Sequence, residues 1–276
     1  MRSLLGVVLC APVLLGLPAV RGAAQEGPQT TLVITVAGGV HSGHGLYEIN
    51  RQPMPVLSAP SSFDTLRVVR SVGSGLILGF SGTYFPSGLV GFHGELTFVD
   101  LPLESSCDSI YAATAPPPDP NNDPRNFEIC GNLDGSSVSS SVFGFMAGVT
   151  LRTAARGFLV PYLRGSLGAS VTSASSVSME GYFVQGGQIV VQPIVVDDDP
   201  KLISLGATVA AGLTGAVGSG YQLRLEVRDD YFSLERATGA ANTTTGVAPK
   251  ETRYYHHWSL LIGFDVVLER KRGRRY

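Results

Sequence analysis

The chain is short of charge. Asp, Glu, Lys and Arg make up 15% of its 276 residues, against roughly 25% in an ordinary soluble domain. That is too little to coat a water-facing surface generously. The formal net charge of −2 gives no electrostatic case for binding nucleic acid. Long apolar runs are missing too: beyond the N-terminus no stretch of about 18 apolar residues offers a membrane helix, although mean hydropathy is +0.20. Cysteine is scarce, with 3 in all. Apolar character without a spanning helix points instead to strands that place apolar residues at alternate positions.

What is present begins with glycine, 34 residues, which disfavours long helices. The N-terminus reads as an export signal over residues 1–24. Arg2 supplies the basic start, Leu4 to Leu17 the apolar stretch, and Gly22-Ala23-Ala24 the small residues before a cut ahead of Gln25. Cys10 follows the bulky Leu9, which rules against a lipoprotein signal. Removal of the signal leaves Cys107 and Cys130, an even pair in an exported chain, and one disulfide is expected between them, with metal binding by two lone cysteines the weaker alternative. Residues 25–276 form a single domain in this reading, ending in a basic tail, 269–276.

Period-two alternation runs through that domain. Tyr221, Leu223, Leu225 and Val227 alternate with Gln222, Arg224, Glu226 and Arg228, and Trp258, Leu260, Ile262, Phe264, Val266 and Leu268 share one face of the last segment. Weaker versions occur near 90–98, 143–151, 161–169 and 203–213, with two more candidates near 31–40 and 66–84. Eight strands result. Their connections alternate strictly: long (41–65), tight (86–88), long (101–137), short (153–157), long (173–201), tight (218–220), long (235–253). In an antiparallel meander every second connection lies at the same end. The expectation is an all-β fold, an eight-stranded antiparallel up-and-down transmembrane β-barrel with short periplasmic turns and four long extracellular loops. A soluble barrel or sandwich has the same alternation with its apolar face inward. The export signal, the Gly-, Ser- and Thr-rich polar faces, and aromatics near strand ends (Tyr84, Phe85, Phe158, Tyr231, Phe232, Tyr254, Tyr255) favour the membrane form.

With this pattern the chain resembles the small eight-stranded outer-membrane barrels of the OmpA/OmpX type. The most specific letters are those of the terminal strand, where Gly263, Phe264, Val266 and Leu268 look like the insertion signal of that class. Leu261 stands where a polar residue is usual, and Leu268 where an aromatic is. The resemblance implies a bacterial outer-membrane location and recognition by the barrel-insertion machinery.

Candidate chemistry is sparse. Glu95, Arg152, Arg164, Arg224, Glu226, Arg228, Asp230 and Asp265 fall on inward faces and carry both signs. Eight strands enclose an interior that side chains can just fill, and buried charges must pair. An internal ion-pair network is therefore expected. His257 and Ser259 share a strand face in a His-x-Ser relation that resembles a lipid A deacylase, but their register points them into the lumen, away from lipid. His41 and His44 read as scattered loop polarity, and Asp197-Asp198-Asp199 as a solvated loop rather than a Ca²⁺ site. No cofactor, metal or catalytic group is expected. The expected role is that of a monomeric, non-enzymatic outer-membrane protein that contacts membrane lipids and displays its loops to a partner the sequence does not name. A small-solute channel is the alternative, and a lipid-modifying enzyme is less favoured.

Overall fold

The structure is a computed structural model that describes residues 30–56, 59–86, 88–110, 123–155 and 157–269. The export signal (1–24) and residues 270–276 of the basic tail lie outside the described residues. In chain order the elements are β1 (Thr31–His41), β2 (His44–Val56), β3 (Ala59–Val72), β4 (Gly75–Phe85), β5 (Val90–Ile110), α1 (Pro124–Leu133), β6 (Ser137–Arg152), β7 (Leu159–Thr172), β8 (Met179–Gln185), β9 (Gln188–Val195), β10 (Ile203–Gly218), β11 (Tyr221–Ala237) and β12 (Lys250–Glu269).

Eight of these strands close a ring. β1 pairs with β4, β4 with β5, β5 with β6, β6 with β7, β7 with β10, β10 with β11, β11 with β12, and β12 returns to β1, every pair antiparallel. Closure removes the unpaired edge that an open sheet would present. The alternation read from the sequence has a physical side to each face. Leu223, Leu225 and Val227 point outward and are about half exposed, whereas Arg224, Glu226 and Arg228 point inward and are buried. The same inside-out order holds on β12, where Ile262 is exposed and Leu261 buried.

The first long connection differs from the expectation. The stretch 66–84 is two strands, not one. Leu66, Val68, Arg70 and Val72 of β3 are buried at even positions, whereas β4 turns its odd positions Ile77 and Ser81 inward. The phase slips at Gly73-Ser74, and a one-residue slip sends every later side chain to the other face. The barrel strand therefore starts at Gly75, and β2 and β3 form a hairpin above it.

The other long loops are ordered as well. β5 runs past the barrel to Ile110 and pairs with β3, from Val72↔Leu103 to Thr65↔Ile110. α1 begins where Asp123 accepts from Arg125 N and Pro124 takes the first helical turn. β8 and β9 make a hairpin whose two-residue turn, Gly186-Gly187, has φ of 60° and 81°, a conformation that glycine adopts without strain. Leu46, Ile49, Leu66, Leu103, Ile129 and Phe183 bury one another in a core outside the barrel. The extracellular connections thus fold into a cap with its own hydrophobic core.

Candidate functional site: the lumen, its mouth and the cap

The lumen is crossed by one connected set of charges. Arg164 reaches Glu95 at 2.5 Å and Glu226 at 3.4 Å. Arg224 pairs with Asp265 at 3.0 Å and lies 3.5 Å from Glu226. Arg228 pairs with Asp230 at 2.7 Å and contacts Glu95. Hydroxyls supply further donors: Tyr162 to Glu226 at 2.6 Å, Thr35 to Asp265 at 2.7 Å and Thr208 to Asp230 at 2.7 Å. The residues come from β1, β5, β7, β10, β11 and β12, so the network joins opposite walls. Three guanidiniums serve four carboxylates, and the hydroxyl donors help to hold the surplus negative charge. Such groups tolerate burial only because each is paired and hydrogen-bonded.

Arg152 is not part of this network. Its Nε donates to the Gly88 carbonyl, and its guanidinium lies 3.9 Å from the centre of the Phe85 ring. It sits at the turn end of β6, beside the β4–β5 connection, and lines a small cavity with Arg224 and Asp265. The terminal-strand residues are placed on β12, with Phe264 and Leu268 outward and Asp265 inward. Gly263 faces the lumen, where a Cβ would come 3.1 Å from that of Ala37. The aromatics near strand ends divide by face: Tyr84, Phe158, Tyr231 and Tyr254 are exposed, whereas Phe85 and Phe232 are buried.

The outer mouth holds a group that the sequence alone shows only as scattered polarity. His41 ends β1 facing inward, and its Nε2 donates to the Asp100 carbonyl at 2.6 Å. His257 is wholly buried; its ring stacks on Phe232 at 4.1 Å and meets His44 edge-on at 4.7 Å. Ser259 lies one inward position below it, so His257 and Ser259 both face the lumen. The signal for His41 was its parity with Val33 and Thr35 on the inward face of β1. Among the described residues, no group of three or more His, Cys, Asp or Glu is arranged to hold a metal ion.

Hydrogen bonds lock the cap across all four connections. Tyr47 donates to the Val177 carbonyl at 2.6 Å, Asn126 to Asp64 at 2.8 Å, and the Ala241 amide to Gln52 at 2.8 Å. Cys107 and Cys130 form a disulfide that fastens α1 to the extension of β5. Closing a loop of this size stabilises the fold by roughly 3 kcal/mol in the chain-entropy account. At Asp197-Asp198-Asp199 the place a cation would take is filled by the Lys250 ammonium, which contacts Asp197, the Asp199 carbonyl and Glu235. Burial disfavours the Asp197 carboxylate. Hydrogen bonds from Lys250 and Ser175, with the lysine charge, outweigh this and hold its pKa below the ordinary value.

The outside of the ring is apolar through its middle and the inside is charged. That order is the reverse of a soluble barrel. The chain is a transmembrane barrel of the outer membrane.

No family model matches the chain and no curated protein matches its sequence. Solved structures with a similar fold include Neisserial surface protein A (14% identity, TM-score 0.42, covering 86% of this chain and 96% of that one). Another is the outer membrane protein OprG from Pseudomonas aeruginosa (11% identity, TM-score 0.46, covering 87% and 97%). A third is the outer membrane protease OmpT from Escherichia coli (7% identity, TM-score 0.35, covering 90% and 99%). The eight-strand architecture of this chain rests on its own closed ring.

Proposed function

We propose that this barrel is a closed, non-enzymatic scaffold that presents a folded extracellular cap to a surface partner. One observation carries the reading: the long connections share a buried core with one another, and the charge network lies across the lumen beneath them. A pore lined by paired, buried charges leaves no wet path, and a cap fixed by a disulfide and by loop-to-loop hydrogen bonds offers a preformed surface. That surface has features suited to recognition. A cavity of about 210 Å³ opens among Met54, Val56, Arg125, Ile129, Phe183 and Gln192. Phe63, Phe127, Tyr182, Ile189 and Val191 are exposed on the cap, in a region where water rather than lipid is the surrounding medium.

The direct test is conductance in planar bilayers with the refolded full chain. No regular single-channel current is expected. A sustained current of uniform step size would overturn the closed-scaffold reading and put a channel in its place.

A further inference from the structure

Where the apolar and aromatic outward face of β11 and β12 nears the cap, it carries an ion pair between Asp229 and His256. Asp229 is the ladder partner of Trp258, and Tyr231 that of His256. His256 Nδ1 donates to Asp229 Oδ2 at 2.7 Å. The carboxylate is largely covered, with 18% of its side chain exposed, while the imidazole is 62% exposed. The Tyr231 ring lies 4.7 Å from that of His256 and stacks on Tyr254 at 5.0 Å. Immediately below come the lipid-facing Val227 and Leu260.

The level of this cluster follows from strand geometry. Stacked aromatics mark both ends of the outward face: Tyr221 with Phe264 at the turn end, and Tyr231 with Tyr254 at the cap end. About ten residues at roughly 3.3 Å each, tilted by roughly 40°, span about 25 Å, the height of a barrel's apolar band. Asp229 and His256 therefore lie at the outer border of that band, where acyl chains give way to headgroups. The cluster is continuous with the lipid-facing surface.

The donor inventory selects the ligand. Asp229 occupies Nδ1 and fixes the ring orientation, which leaves Nε2 for an outside partner. With Nδ1 turned to Asp229, a ring that carries both N–H groups donates outward through Nε2, and the phenols of Tyr231 and Tyr254 and the indole N–H of Trp258 are further donors near it. A donor-rich spot calls for an acceptor-rich group, and at this depth that group is a lipid phosphate. Ser259 lies outside this cluster, because it faces the lumen.

We infer that His256, oriented by Asp229 and flanked by Tyr231, Tyr254 and Trp258, binds the phosphate headgroup of an outer-leaflet lipid. The test uses the refolded full chain in neutral sugar-detergent micelles doped with phosphatidic acid or with diacylglycerol of the same acyl chains. Lipid retention is read by native mass spectrometry, and the state of His256 by imidazole nitrogen resonances. Preferential retention of phosphatidic acid is expected, with a shift of the His256 nitrogens on binding. His256→Gln and Asp229→Asn each weaken retention about tenfold, the scale of one charge-assisted hydrogen bond. Tyr221→Phe, at the other girdle, leaves retention unchanged. Both site substitutions point away from the lumen, and a heat-modifiable gel shift verifies folding; the wild-type resonance titration stands even where a variant fails to fold. Equal retention of the two lipids, or equal retention by wild type and His256→Gln, would show an apolar belt only and overturn the site. Displacement of the lipid by inorganic phosphate alone would make it a free-anion site and overturn the lipid assignment. These readouts do not depend on whether the lumen conducts.

Discussion

Gly212 lies directly opposite Tyr162 in the ladder between β7 and β10, and the phenol of Tyr162 occupies the space that a side chain at 212 would need. A Cβ on Gly212 would also fall 2.5 Å from the Leu225 carbonyl oxygen. The absent side chain is what lets Tyr162 cross the lumen and donate to Glu226. Gly212→Val should therefore destabilise the barrel by about 1–3 kcal/mol through overpacking. Urea unfolding in lipid vesicles measures this. A neutral substitution would mean that Tyr162 is free to swing aside.

Glu226 is the junction of the network, facing Tyr162, Arg164 and Arg224. Glu226→Ala leaves two buried guanidiniums short of a partner, and breaking a buried pair in this way costs about 3–5 kcal/mol. The same change shortens a side chain at the narrow centre and admits water, so conductance should rise from zero. Stability and conductance are read on one preparation. If stability stays at the wild-type level, the network is not what holds the lumen shut.

Much of this fold was legible in the sequence, and the limits have physical causes. On β11, Leu223 and Arg224 fall on faces that any period-two reading separates, because burial repeats with the pleat. The β2–β3 hairpin was not read, because Leu66 to Val72 and Ile77 to Thr83 each alternate well and only the phase slip at Gly73-Ser74 divides them. Lumen residues were legible as types but not as partners. Arg152 has the right parity for the network, but its guanidinium turns to the Gly88 carbonyl and the Phe85 ring. The His256–Asp229 pair is hidden for a similar reason: His257 and Ser259 form a visible motif, whereas the contact one residue away depends on the register Asp229↔Trp258. Sequence periodicity fixes a face and leaves the register between strands open.

Facing is tested by a pair of arginines on one strand. Leu225 is near the middle of the outward band, and Leu225→Arg should cost about 2–4 kcal/mol. Gln222 points inward beside Arg224, Thr214 and Tyr162 at a small cavity of about 20 Å³. Gln222→Arg should cost less, because its head can reach the turn-side opening. Midpoints of urea unfolding rank the two. The reverse ranking would mean that the apolar face is a soluble core.

The cap should loosen on mild acidification, and His44 is the reason. Its ring lies 4.7 Å from both Tyr255 and His257, and neither ring nitrogen has a hydrogen-bond partner. Burial, reinforced by the neighbouring His41, lowers its pKa below the ordinary 6.5. The folded state therefore resists a proton that the unfolded chain accepts. Stability from this group is complete above about 6.5 and is lost as pH falls from there towards the folded-state value. Asp197 acts in a different window. Its lowered pKa stabilises the fold above the unfolded value near 3.8 and is lost only in more acidic solution. Lys250, raised above 10.5 by its hydrogen bond to Asp197 and the nearby carboxylates despite the opposing effect of burial, affects only the alkaline side. Between pH 7 and pH 5, then, hydrogen exchange should accelerate at cap amides such as those of β2 and β3, while amides of β11 inside the barrel keep their protection. His44→Phe preserves the ring packing without the titrating nitrogens, so it should weaken the change between pH 7 and 5, the remainder belonging to the buried and equally unpartnered His257 beside it, while leaving the loss below about pH 4 in place. Equal cap exchange at pH 7 and pH 5 in the unmodified protein would remove His44 as the acid-sensitive element.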